Sequence, residues 1–262
     1  MERLNRCGLH HPRVHRVKLE ICVDTIASVR VCTAAGADRI ELCAGLVEGG
    51  TTPSAAFLRA ARQAFPGKIM AMLRPRAGDF LYSDDEFALM LDEIDGFRRD
   101  GADGIVCGIL TADGAIDAAR WRAIAERARG LDLTFHRAFD VSRDLPESLE
   151  TLIALGVPRV LTSGGFPEVM AGLDSLASLV KQAADRITIL PGGGVRPELV
   201  PEIIRRTGVT EVHLSARCAE DSPMRHRRPD IPMGAAAVPG EYERKVASAA
   251  IIRAAREALV PR

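Results

Sequence analysis

The chain is poor in aromatic residues, carries no net charge and contains no long apolar run. Aromatics make up 4% of its 262 residues, too few for the interleaved basic and aromatic platform that grips single-stranded nucleic acid. Lys plus Arg and Asp plus Glu are both 35, which leaves no broad electrostatic footprint for nucleic acid or an anionic membrane surface. No stretch approaches the about 18 apolar residues of a membrane-spanning helix. The first 17 residues, MERLNRCGLHHPRVHRV, are basic but lack the apolar segment and cleavage pattern of a secretory signal. The six cysteines include no Cys-x-x-Cys pair, which argues against a zinc knuckle, a thioredoxin motif or a disulfide framework. Reduced thiols in a cytoplasmic protein are the expectation. No Gly-x-Gly-x-x-Gly follows the first strand, so the main support for a dinucleotide-binding fold is missing.

What is present is a regular alternation. Apolar residues reach 47%, enough for a large core. Short β-branched or apolar runs are predicted as strands at Leu19–Asp24, Arg39–Ala44, Ile69–Pro75, Gly104–Leu110, Leu131–His136, Arg159–Gly164, Ile187–Pro191 and Glu211–Ala216, and a helical pattern follows each of them. Ser83-Asp-Asp-Glu86 reads as a capping box, and Pro53 as the opening of a helix. Gly36, Gly101 and Gly156 each stand between a helix and the next strand, where a glycine stop and short turn are required. The predicted class is α/β, a single (β/α)8 TIM barrel with a closed parallel sheet. It spans residues 18–262 after a His/Arg-rich tail, 1–17, with an irregular segment, 217–240, before a last helix at Glu241–Leu259.

Side chains alternate across a strand, so each run divides into a helix-facing and an interior face. Leu19, Ile21 and Val23 are assigned outward, leaving Glu20, Cys22 and Asp24 inside. Arg39, Glu41 and Cys43, Met70, Met72 and Arg74, Thr134 and His136, and His213 and Ser215 are inward by the same rule. Six ionisable groups, Glu20, Asp24, Glu41, Arg74, His136 and His213, thus converge in a space that branched apolar residues ordinarily fill. A self-satisfied ion network is one reading, and a functional site near the C-terminal strand ends is the other. Glu41 and His136 are the candidate acid and base. Cys22 and Cys43 sit at equivalent places on adjacent strands, about 4.8 Å apart. On spacing alone they fit either a soft ion such as Cu(I) or plain core packing. Thr162-Ser-Gly-Gly165 and Pro191-Gly-Gly-Gly194 end two late strands. With Arg74 and Arg76 they make Ser163, Gly164, Gly193 and Gly194 candidates for binding a small anion, although such glycines also serve tight turns.

Several stretches together resemble the CutC copper homeostasis family: Glu20-Ile-Cys-Val-Asp24, Gly36-Ala-Asp-Arg-Ile-Glu-Leu-Cys43, Gly49-Gly-Thr-Thr-Pro53, Arg74-Pro-Arg76 with Gly78-Asp-Phe80, Thr134-Phe-His-Arg-Ala-Phe-Asp140, Leu161-Thr-Ser-Gly164 and Pro191-Gly-Gly-Gly194. The resemblance runs in order from about Leu19 to Gly234. The resemblance implies a cytoplasmic (β/α) barrel that binds Cu(I) through Cys22 and Cys43 and assembles as a homodimer or higher homo-oligomer. Copper or a small anionic ligand is then the partner, with neither nucleic acid nor membrane. A TIM-barrel enzyme doing acid–base chemistry of the lyase or isomerase type on a small anionic or phosphorylated substrate is the alternative.

Overall fold

Glycine-stopped strand–helix units generate a ring of parallel strands. The computed structural model describes residues 16–231 and 240–259; the tail residues Cys7, His10, His11 and His15, metal-capable in type but expected to form a solvated basic tail, lie outside that range. The order is β1 (Lys18–Val23), α1 (Ile26–Ala35), β2 (Arg39–Leu42), α2 (Ala55–Ala64), β3 (Lys68–Met72), α3 (Asp84–Asp100), β4 (Gly104–Cys107), α4 (Ala118–Arg127) and β5 (Asp132–Phe135). It continues with α5 (Leu145–Ala154), β6 (Arg159–Thr162), α6 (Leu173–Ala183), β7 (Thr188–Pro191), α7 (Val200–Thr207), β8 (Glu211–Leu214), β9 (Arg217–Asp221), β10 (Glu243–Ala247) and α8 (Ala249–Ala258). The predicted TIM barrel is therefore present.

The helix ends carry the predicted chemistry. Ser83 and Glu86 form the reciprocal capping box that starts α3. Gly36 stops α1 with φ of 81°, a left-handed conformation that a residue with a Cβ adopts only at a cost. Pro53 lies just outside α2, whose cap is Ser54, accepting from the Phe57 N–H. The largest difference lies late in the chain. Residues expected to be irregular or helical instead form an antiparallel hairpin, with Arg217 opposite Ala247 and Asp221 opposite Glu243. Its strands are rich in charge and their pairing is non-local, so no apolar alternation announces them.

Sheet order is β7-β6-β5-β4-β3-β2-β1-β8, parallel at every pairing. β7 and β8 lie side by side without a hydrogen-bonded ladder, so the barrel is closed except at that one seam. Register places Glu20 beside Arg39 and His213, and Cys22 beside Glu41. The predicted faces hold. Leu19, Ile21, Val23, Ile40, Leu42, Ile69 and Ala71 join the core beneath the helices. Cys22, Cys43, Leu46, Met70, Met72 and Val106 form a separate apolar cluster inside the ring.

Candidate functional site

The interior is built in layers, and the lower layer is ionic. Arg39 donates to Glu20 and, at 2.6 Å, to Glu211 Oε2. Arg159 reaches the same Glu211 oxygen at 2.7 Å and donates to Thr134 Oγ1 at 3.1 Å. These side chains are nearly sealed from solvent, and each charge has an opposite partner, as burial demands. Burial alone would raise the Glu20 pKa, but the Arg39 charge and the hydrogen bond with His213 outweigh it and hold the carboxylate well below its usual range. Glu211 was findable from sequence, since it shares the alternation of His213. Arg159 was not assigned a face, and its partners come from strands far away in the chain.

Above that layer Cys22, Glu41 and His213 present one ligand atom each, all within 4.8 Å of one another and all buried. His213 Nδ1 lies 2.7 Å from Glu20 Oε1, and its Nε2 lies 3.9 Å from Glu41 Oε2. Burial opposes charge on His213, yet Glu41, Cys22 and Glu20 around it raise its pKa well above the ordinary imidazole value. Burial, aided by the Glu20 charge, raises Glu41 in spite of the attraction of His213. Cys43 is not a member of this group. Its thiol meets Glu41 Oε2 at 3.5 Å, and burial together with Glu41 and Cys22 raises its pKa well above that of a free thiol. Of the two cysteines singled out from sequence, Cys22 is thus drawn to a carboxyl and an imidazole, and Cys43 touches them through Glu41.

His136 follows β5 and packs beside Phe80, ring centroids 4.9 Å apart, and Phe135, at 6.2 Å. The ring fits because residue 108 is glycine: a Cβ there would lie 2.4 Å from His136 Nδ1. Nδ1 accepts the Ala138 N–H at 3.1 Å, so the neutral ring carries its proton on Nε2. Burial, with the Arg74 charge, pushes the His136 pKa down to about 3. Nε2 is buried and has no hydrogen-bond partner, and the same is true of Glu41 Oε1. Both residues line one cavity of about 220 Å³, bordered also by Cys22, Met72, Phe80, His213 and Arg217.

The expected anion binders are distributed differently. Arg74 donates to the Glu48, Gly50 and Gly78 carbonyls at 2.8–2.9 Å and stacks on Phe80, pinning two loops together. Arg76 pairs with Glu86 at 2.5 Å and Asp79 at 3.1 Å near the surface. Around Ser163 and Gly164 an internal anion is already seated: Asp140 accepts from the Ser163 and Gly165 N–H groups and the Thr162 hydroxyl. Gly193 and Gly194 do line the cavity. Arg137 and Arg217 join them there, and no local sequence pattern marked either.

The chain has known relatives. The CutC family model matches residues 17–218. A human protein described as a copper homeostasis protein cutC homolog is 44% identical over 235 residues, 90% of this chain and 86% of that protein. A CutC family protein from Chromobacterium violaceum is 46% identical over 241 residues, 92% of this chain and 97% of its own. Among solved structures, CutC from Streptococcus agalactiae superposes with a TM-score of 0.73 at 33% identity, covering 76% of this chain and 98% of that one. A thiamine phosphate pyrophosphorylase from Pyrococcus furiosus, 17% identical with a TM-score of 0.57 over 94% of this chain and 96% of its own, shares the fold alone. The inward cysteines, the glycine-stopped barrel and these similarities agree: the chain belongs to the CutC family.

Proposed function

We propose that the protein binds Cu(I) in the cytoplasm at the C-terminal mouth of its barrel, with Cys22 Sγ and His213 Nε2 as the central ligands and Cys43 as an additional thiol. The observation that carries this reading is the buried group of Cys22, Glu41 and His213 within 4.8 Å of one another. A thiolate suits a soft monovalent ion, and imidazole is a general copper ligand. Glu20 accepts from His213 Nδ1, the outer carboxylate contact that fixes which nitrogen faces a metal. The Met70 and Met72 thioethers belong to the same interior cluster as both cysteines. The relatives named for copper homeostasis, human and mouse among them, support the assignment, and a homo-oligomer is the proposed assembly. The test is anaerobic Cu(I) competition titration of the full chain and of the Cys22→Ser, Cys43→Ser and His213→Gln variants. One Cu(I) per chain is expected, lost or weakened at least tenfold in Cys22→Ser and His213→Gln and weakened less in Cys43→Ser. Unchanged affinity in all three overturns the reading.

A second reading is favoured by one observation: Glu41 Oε1 and His136 Nε2 are both buried without a partner and line the same cavity. We infer an acid–base role on a small ligand, with Glu41, held above the usual carboxylate range by burial, as the group that gives and takes a proton. Neutral His136 is the hydrogen-bond donor in the same cavity.

A further inference from the structure

One side of the cavity is not used by the thiol group. Strand β5, which leads into His136, stands opposite β1 in the strand order. His136 itself is 4% exposed, so its unpaired Nε2–H can be satisfied only by something inside the cavity. Next to it is Arg137. Its Nε is used by Asp140 at 2.7 Å, and its Nη2 by Ser163 Oγ at 2.7 Å and the Phe166 carbonyl at 3.2 Å. Nη1 has no partner among the described residues. That end of the guanidinium lies against Gly193, where a Cβ would meet Nη1 at 3.1 Å. Absence of a side chain at residue 193, in a backbone with φ of 102°, is what leaves this approach open. Arg217, at the start of β9, lines the cavity too and makes no ion pair among the described residues. Glu41 is the one carboxyl group in the lining, and Asp140 outside it already pairs with Arg137.

We propose that this cavity binds a small phosphate monoester bearing a carbonyl oxygen, with the phosphate held by Arg137 Nη1, Arg217 and the Gly193–Gly194 turn, and the carbonyl oxygen accepting from His136 Nε2–H. The inference deepens the acid–base reading and rests on the same cavity. Guanidinium groups match phosphate oxygens in charge and fork geometry, and the loops after the last barrel strands are where such folds commonly hold phosphate. A neutral imidazole donor polarises a carbonyl without carrying a charge that would itself pair with the phosphate. The roughly 220 Å³ of space is below the usual range for drug-sized ligands, which limits the ligand to a few carbons.

The test is calorimetric titration of the full chain with dihydroxyacetone phosphate, glycerol 3-phosphate and inorganic phosphate, repeated on Arg217→Ala, His136→Phe and His136→Gln. Dihydroxyacetone phosphate is expected to bind saturably and more tightly than inorganic phosphate. Arg217→Ala should weaken all three ligands about tenfold. His136→Phe, which keeps the ring against Phe80 and Phe135, should weaken dihydroxyacetone phosphate alone, and His136→Gln should recover part of that loss. Absence of saturable binding, or affinities unchanged in Arg217→Ala and His136→Phe, overturns the proposal. Solvent deuterium exchange into bound dihydroxyacetone phosphate separates it from the acid–base reading. Binding without exchange defeats that reading and supports the anion site.

Discussion

His136 shows how one residue ties stability to protons. Its pKa is pushed down to about 3 in the folded protein by burial and the Arg74 charge, against about 6.5 in an unfolded chain. Between those values the unfolded state binds more protons, so stability is fully present above about pH 6.5 and falls as the pH drops toward 3. The loss from this one group approaches about 1.4 kcal/mol per pH unit in the steepest part. Glu20, with its pKa lowered mainly against burial by Arg39, loses stability in the same acid direction. His213, raised well above the ordinary value, acts oppositely: its contribution is present below about pH 6.5 and lost as the pH climbs through the raised value. Urea melts from pH 7 to pH 4 should show wild-type stability falling, and the fall should be shallower in His136→Phe. Parallel curves would contradict the assigned protonation.

Residues of this kind were only partly readable. Alternation along a single strand was enough to send Glu20, Cys22, Glu41 and His213 inward. It does not say that Cys22 sits among a carboxyl and an imidazole while Cys43 stands outside their group, because that depends on side-chain reach at the strand ends. Nor does it reveal that Asp140 fills the turn around Ser163, since the carboxylate and the amides that hold it come from different loops.

At the level of elements, register is what sets the chemistry. Parallel pairing of β1 with both β2 and β8 brings Arg39 and His213 to either side of Glu20. The ionic layer that results depends on Glu211 as the acceptor shared by two guanidinium groups. Glu211→Gln would leave Arg39 and Arg159 short of charge in a sealed interior. A stability loss of about 3–5 kcal/mol is expected by analogy with other broken buried pairs, measured as a shifted urea midpoint with an unchanged slope. The elements themselves were legible where local signals agree, as in the capping box at Ser83 and the glycine stops. The β9–β10 hairpin was not, because its stability comes from pairing between segments distant in sequence and not from its own pattern.

Across the whole molecule, eightfold repetition made the barrel predictable, whereas the line of weakness between β7 and β8 depends on how the ring closes. Strand edges without ladder partners are protected less than those inside a continuous sheet. Hydrogen exchange should therefore be faster in β7 and β8 than in β2 and β3, which are laddered on both sides. Uniform protection around the ring would refute this.

The same seam runs beneath the mouth of the cavity. Gly193 and Gly194 follow the strand on one side of the gap, and Arg217 follows the strand on the other. Any anion gripped from both banks becomes a clasp, converting occupancy of the mouth into tension across the opening. Binding there should slow amide exchange in the two strands that flank the gap.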